Sequence, residues 1–305
     1  MTILQAIILG IVQGLTEFIP ISSTAHLVFA SRLTGLYAGV EQTLRAQQTT
    51  ATIAVIQLGT LLAVFVYFAR DIVNITTAFV RDHLALLRGG GGAEGQQGGG
   101  GFWSRLSSEA RLGWLIFIGS LPVGVFGLLF KDFIEGTFTK NLWVIATMMV
   151  VVALLLLVAE KVGARRKDVE DLGLVDALAV GFAQVLALVP GASRSGSTIM
   201  GGLFAGEKRE TAARFSFLLS IPAIAASGLL ELREALEKLP PDSALPLAVA
   251  TVVSGVVGYA SIWFLLRFLR THSTGVFIGY RLVVGGIILA LLAAGILNPL
   301  EGMAG

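Results

Sequence analysis

The stretch QGLTEFIPISSTAH, Gln13–His26, interrupts an otherwise apolar N-terminal run. Glu17 and Pro20 cut that run into Met1–Thr16 and Phe18–Ser31, and neither half reaches the ~20 apolar residues a helix needs to cross a bilayer. Proline lacks a backbone donor and biases the residue before it away from helix, so the first helix ends near Pro20. Ser22, Ser23 and Thr24 then stand where helix N-caps belong. The reading is two short helices joined by a polar break that enter and leave a membrane on one side. Such irregular backbone is tolerated at that depth only inside protein or along a cavity.

The same text occurs a second time. From about Ala177 an apolar run is cut by Pro190-Gly191 and then by Arg194, within PGASRSGST, Pro190–Thr198. At an offset of 171, Gly10 and Gln13 fall on Gly181 and Gln184, Leu15 on Leu186, Ser22 on Ser193, and Thr24 on Ser195. Each break is followed by three charge-poor spans. Three is odd, so the second half is expected to be inverted relative to the first. Inverted repeats set their broken helices opposite each other near the bilayer midplane.

The remaining composition agrees. The 305 residues have a mean hydropathy of +0.82 and are 14% charged, against about 25% in an average soluble domain. That excludes a soluble domain, a disordered chain and a secreted disulfide scaffold. A net charge of +2 is no footprint for DNA or RNA, so no nucleic-acid partner is expected. Without cysteine there is no thiolate metal site and no thiol nucleophile. The charge-free runs Ala46–Ala69, Leu112–Phe130, Asn141–Ala159, Phe215–Leu230, Ser243–Leu266 and Leu282–Leu300 are the expected crossings. The fold class is therefore an all-α integral membrane protein: six transmembrane helices plus two re-entrant broken-helix hairpins in an inverted-topology repeat. One membrane domain covers 1–305, with repeat one at 1–160 and repeat two at 174–300. The N-terminus lacks the basic start and cleavage site of a signal peptide.

Basic residues orient this arrangement. With each hairpin returning to its own side, fifteen basic residues share one face: Arg70, Arg81, Arg88, Arg105, Arg111, Lys161, Arg165, Arg166, Lys167, Lys208, Arg209, Arg214, Arg267, Arg270 and Arg281. Six lie on the other: Arg32, Arg45, Lys131, Lys140, Arg233 and Lys238. The first face is expected to be cytoplasmic, with both termini outside. Gly89–Gly101, nine glycines in thirteen positions, reads as a flexible cytoplasmic linker. Arg70–Arg88 mixes apolar and polar residues and reads as a helix lying in the interface. His83 and His272 read as solvated. Gly119, Gly124 and Gly127 form a small-residue face that would permit helix pairing and hence a homodimer.

The polar residues of the two breaks carry the chemistry. Two helix N-termini converging on one spot make an anion site from free N–H groups and aligned dipoles. Arg194 adds a forked donor, which points to phosphate. Glu17 is either the partner of Arg194 or a ligand for Mg²⁺, an ion commonly held by one or two carboxylates plus substrate phosphates. Gln13 lies one turn before Glu17 on the same face. His26 follows Ser22 and Ser23 by four and three residues, so a serine hydroxyl and an imidazole share a face, a nucleophile–base pair in outline. A transporter or flippase of an anionic lipid is the alternative, since inverted repeats with broken helices serve transport too. Phosphate release in detergent, where there is no second compartment, separates the two.

QGLTEFIPISSTAH and PGASRSGST together closely resemble the undecaprenyl-diphosphate phosphatases of the bacitracin-resistance family, and the hydrophobic layout is similar over nearly the whole chain. The resemblance implies an integral enzyme of the bacterial cytoplasmic (inner) membrane with its active site facing outward. It also implies removal of the terminal phosphate of undecaprenyl diphosphate, giving the lipid carrier for peptidoglycan precursors, dependence on a divalent cation such as Mg²⁺ or Ca²⁺, and bacitracin resistance. The family's first motif falls on Gln13, Glu17, Ser22, Ser23, Thr24 and His26. The second falls on Gly191, Ser193, Arg194, Ser195, Gly196 and Thr198. Gln57, within the similar run Ile56–Val64, is expected to line the pocket. The expected catalytic set is Glu17, Ser23, His26 and Arg194, with either Ser23 or a water activated by His26, or His26 itself, as nucleophile. The other residues named bind substrate, and Glu17 with the phosphates holds the metal. Two positions depart from the family pattern: Gln13 cannot serve as an anionic ligand, and Ala25 stands where a glycine often precedes the histidine.

Overall fold

The computed structural model describes residues 1–88, 101–130, 133, 141–239 and 243–299. Most of the expected linker, together with Lys131 and Lys140, lies outside the described residues. The described chain is helical, with a single two-residue bridge between Lys167 and Glu207. In chain order the helices are α1 (Ile3–Phe18), α2 (Ser23–Leu33), α3 (Gln42–Tyr67), α4 (Ala69–Leu87), α5 (Ser108–Leu129), α6 (Leu142–Val162), α7 (Leu174–Val185), α8 (Arg194–Phe204), α9 (Arg209–Lys238), α10 (Ala244–Thr271) and α11 (Gly275–Ala293).

Helix starts follow their caps. Thr2 caps α1 in a capping box with Gln5, Ser107 caps α5, and Asn141 caps α6 through Trp143 N–H at 2.8 Å. Five segments are long and apolar enough to cross a membrane: Gln47–Tyr67, Ser108–Leu129, Leu142–Val162, Ala244–Thr271 and Gly275–Ala293. The expected crossing Phe215–Leu230 lies within α9. The expected final crossing is displaced: α11 begins at Gly275, seven residues before Leu282, and ends at Ala293.

The two broken segments fold alike. α1 and α7 begin 171 residues apart, as do α2 and α8, and α2 and α8 also end 171 apart. Each pair returns to where it began. Gln5 at the start of α1 donates from Nε2 to the carbonyl of Thr34, just past α2, at 2.8 Å. Arg166 and Lys167, ahead of α7, donate to the carbonyl of Gly206, just past α8, at 2.9 and 3.2 Å. Packing exchanges in the same way. α1 packs on α10 as α7 packs on α5, while α3 meets α9 and α6 meets α11. The main core gathers where these meet, around Phe18, Phe68, Leu156, Ile199, Phe217 and Ile262, with Phe18 and Phe217 edge-to-face at 5.4 Å.

Two expectations, for Arg281 and His83, are corrected. Arg281 is not a cytoplasmic flank: it lies inside α11 with no exposed surface. Gly119 serves the chain's own α5–α7 contact, where a Cβ would lie 2.9 Å from the carbonyl oxygen of Ala177; a Cβ on Gly127 would touch Leu188 at 3.8 Å, and of the three only Gly124 is left open. His83 stacks on Phe79 at 4.1 Å and accepts from Trp114 Nε1 at 3.1 Å, in an aromatic cluster rather than in solvent. The Arg70–Arg88 region is a helix, α4, packed on α5.

Candidate active site at the two helix breaks

α1 carries Gln13 and Glu17 one turn apart, both buried, and stops at Phe18. Gln13 Nε2 donates to Glu17 Oε2 at 3.2 Å and to Thr60 Oγ1 of α3 at 3.4 Å. The other carboxylate oxygen, Oε1, accepts from Arg194 Nη2 at 3.0 Å, with both side chains largely shielded. Residues 177 apart in sequence thus form an ion pair that joins the two breaks. Ser195 Oγ adds a second tie, donating to the carbonyl of Ile19 at 3.4 Å.

Both second helices start from strained serines. Ser22 (φ 78°) precedes α2 without capping it and Ser193 (φ 69°) caps α8, each in the left-handed region that a side chain rarely adopts. Such strain persists where the surroundings over-determine it, typically at functional sites. Gly191, at φ +94°, packs so close to α6 that a Cβ there would lie 2.1 Å from the carbonyl oxygen of Ile145. Ser193 Oγ accepts from Gly196 N–H at 3.2 Å. The Ser22 hydroxyl is buried with no partner among the described residues. The backbone N–H groups of Ser23, Thr24 and Ala25 on α2, and of Arg194 and Ser195 on α8, likewise find no partner there. Two sets of free donors therefore flank the ion pair.

His26 is held at both nitrogens. Nδ1 lies 2.7 Å from the carbonyl oxygen of Ser22. A carbonyl only accepts, so Nδ1 carries the proton and Nε2 holds the lone pair. Nε2 lies 2.6 Å from the hydroxyl of Tyr280, whose ring stacks on the imidazole at 5.6 Å. The Ser23 hydroxyl makes no hydrogen bond to His26 or to any other described residue.

Not every expected residue joins this cluster. Thr24 is exposed, and Gln57 reaches it only through its carbonyl, which accepts from Thr60 Oγ1 at 2.7 Å. The Thr198 hydroxyl turns away, donating to the carbonyl of Arg194 at 2.7 Å and meeting Ser216 Oγ of α9 at 2.5 Å. Thr60, Tyr280 and Arg281 were not anticipated. Arg281 Nη1 donates to the carbonyl of Pro20 at 3.4 Å, and Nη2 to those of Gly191 and Ala192 at 3.0 Å each. The missed signal is the Ser273-Thr274-Gly275 helix start, which puts Arg281 two turns inside α11.

No group of three or more His, Cys, Asp or Glu side chains poised to hold a metal occurs among the described residues. The donor set does fit a hard cation shared with substrate phosphates. Glu17 offers a carboxylate, and Gln13 Oε1 is a buried oxygen without a partner.

The family model described as Bacitracin resistance protein BacA matches residues 6–287. The chain is 51% identical over 290 residues to an undecaprenyl-diphosphatase of Syntrophobacter fumaroxidans, covering 95% of this chain and 97% of that one. It is 46% identical over 303 residues to an undecaprenyl-diphosphatase of Myxococcus xanthus, covering 99% and 93%. It is 44% identical over 325 residues to one of Nocardia farcinica, with 98% of each chain covered. With both helix breaks inside the matched span, this chain belongs to the bacitracin resistance protein BacA family.

Proposed function

We propose that this chain is a multi-pass membrane hydrolase that converts undecaprenyl diphosphate to undecaprenyl phosphate and inorganic phosphate, recycling a lipid carrier and conferring bacitracin resistance. The observation that carries the placement of the site is the Glu17–Arg194 ion pair, flanked by the unpartnered N–H groups of α2 and α8. The family and the names of its relatives support the reaction.

The terminal phosphate sits between the two helix starts, where N–H donors and dipoles favour an anion. Arg194, whose Nη1 is still without a partner, reaches its oxygens. Ser23 Oγ attacks the terminal phosphorus. The bond from that phosphorus to the bridging oxygen breaks, and the lipid monophosphate leaves with the electron pair. His26 takes the Ser23 proton at Nε2, exchanging its contact with Tyr280. Water then attacks the phosphorus and displaces the serine oxygen, which takes back the proton held by His26 while a water proton passes to solvent, and inorganic phosphate is released. The free N–H groups lower the barrier by stabilising charge on the oxygens around phosphorus. Glu17 and Gln13 Oε1 would hold a Mg²⁺ or Ca²⁺ ion together with the substrate phosphates. Such an ion neutralises phosphate charge. The prenyl tail lies in an apolar groove among six crossings, and the two hairpins form an inverted repeat whose site opens to the outer side of the cytoplasmic membrane.

Phosphate release by the purified chain in detergent tests this. We expect Ser23→Ala and His26→Ala each to lose at least about a hundredfold in kcat, in line with loss of a nucleophile or its base. Near wild-type turnover in both would overturn the site. If Ser23→Ala keeps turnover while His26→Ala loses it, His26 acts on water or is itself the nucleophile. Activity only across sealed vesicles would favour the transport reading.

A further inference from the structure

Arg281 has the largest fully buried side chain among the described residues, and it forms no ion pair with any of them. All its hydrogen bonds go to backbone carbonyls. Nε donates to Met149 at 3.1 Å and Nη2 to Met148 at 3.3 Å, both on α6. Nη1 reaches Pro20 in the first break, and Nη2 reaches Gly191 and Ala192 in the second. One guanidinium therefore spans three segments that no backbone ladder connects. Taking a charge out of water without a counter-ion costs several kcal/mol, so a plain packing role would be better served by an apolar side chain. The fork matters because only arginine presents five donors in a fixed plane.

Peptide geometry shows what the fork does. In a trans peptide the C=O and the following N–H point in opposite directions, and no cis peptide occurs here. Holding the Ala192 carbonyl aims the Ser193 N–H away from Arg281. That N–H has no partner among the described residues. Holding the Pro20 carbonyl restrains the turn that leads into the left-handed Ser22. Gly191 cannot move aside, because it is packed against the Ile145 carbonyl, and a Cβ on Gly196 would lie 3.2 Å from Arg281 Nη1.

We infer that Arg281 is a positioning residue for the phosphate site: it locks the carbonyls of both breaks on its own side, so that the N–H of Ser193 faces the substrate, and its uncompensated charge backs the anion. This inference rests on the placement of the phosphate between the two breaks.

The test uses full-length Arg281→Lys and Arg281→Gln, assayed in detergent for kcat, KM and inhibition by inorganic phosphate. Lysine keeps the charge without the fork, and glutamine keeps neither the charge nor the full fork. Both variants are expected to lose at least about thirtyfold in kcat, because aligned donors matter most where charge builds up in the transition state. The inhibition constant for inorganic phosphate is expected to weaken at least tenfold. That constant belongs to the folded molecules, whatever their fraction, so a merely structural role leaves it unchanged. A wild-type inhibition constant in either folded variant overturns the inference. Ser23→Ala and His26→Ala run in parallel separate the two claims, since near wild-type turnover in both discredits the placement of the site itself. If neither Arg281 variant folds, amide exchange on the wild type decides. Phosphate should protect the Ser193 amide, and no protection overturns the inference.

Discussion

Glu207 lies in the turn between α8 and α9, fully buried, with both carboxylate oxygens unpartnered among the described residues. Burial, and then the neighbouring charge of Asp176, push its carboxyl up to about 8, against a smaller downward pull from Lys167. The unfolded chain gives up this proton near about 4.3. Between these values the native state binds more protons than the unfolded state, so stability falls as pH rises. Below that window its ionisation costs nothing, and above about 8 that cost is complete. Glu207→Gln should therefore raise the thermal midpoint, by little at pH 5 and progressively more towards pH 8. Melting curves of both proteins in one detergent check it, and an equal gain at both pH values would remove charge as the cause. The sequence shows Glu207 only as one more acid in a loop, because burial of a turn depends on what packs over it. Glu17 and Arg194 were legible for the opposite reason: each interrupts an apolar run. Arg281 was not, because it stands close to the polar residues His272, Ser273 and Thr274 and passes for a flank.

At the scale of elements, two glycines 171 residues apart do the same work. A Cβ on Gly10 of α1 would lie 2.6 Å from the Ala250 carbonyl oxygen of α10. A Cβ on Gly181 of α7 would lie 2.4 Å from the Gly119 carbonyl oxygen of α5. Each lets a broken helix sink onto its supporting helix. Gly10→Ala and Gly181→Ala should each destabilise by about 1–3 kcal/mol through overpacking. Both should lower turnover, since α1 carries Glu17 and α7 leads to Arg194. Gly124→Ala, where nothing lies within 4 Å, should be neutral or slightly stabilising in the same melting and turnover assays. The breaks themselves were readable, because proline and the cap serines state local preferences. Helix limits were less so. Charge was used as the boundary marker, and α11 runs straight through a charge that its neighbours bury.

Across the whole molecule, basic residues find acidic partners on distant helices. Arg214 pairs with Asp71, Lys167 with Asp176 at 2.6 Å, Lys208 with Asp168 at 2.5 Å, and Arg270 with Glu210 at 2.7 Å. Glu160 gathers Arg165, Arg209 and the Thr274 hydroxyl, tying α6 to the starts of α9 and α11. Glu160→Ala would leave those partly exposed cations without their shared partner, at a cost of about 1–2 kcal/mol. We expect a lower thermal midpoint with KM for the lipid substrate unchanged, because the phosphate site lies elsewhere. A raised KM would show that this belt also shapes the site. The sequence carried the count of these charges but not their partners, which come from helices far apart in the chain.

The carbonyls of Pro20, Gly191 and Ala192 all wait on a donor from the last helix. During synthesis the first break emerges some 260 residues before Arg281 does, long ahead of the donor that its Pro20 carbonyl receives. A nascent chain halted before α11 holds Glu17 and Arg194 but lacks the piece that sets both turns. Until α11 docks, these carbonyls lack the guanidinium that joins them, so the two turns are tied together only after both have been made.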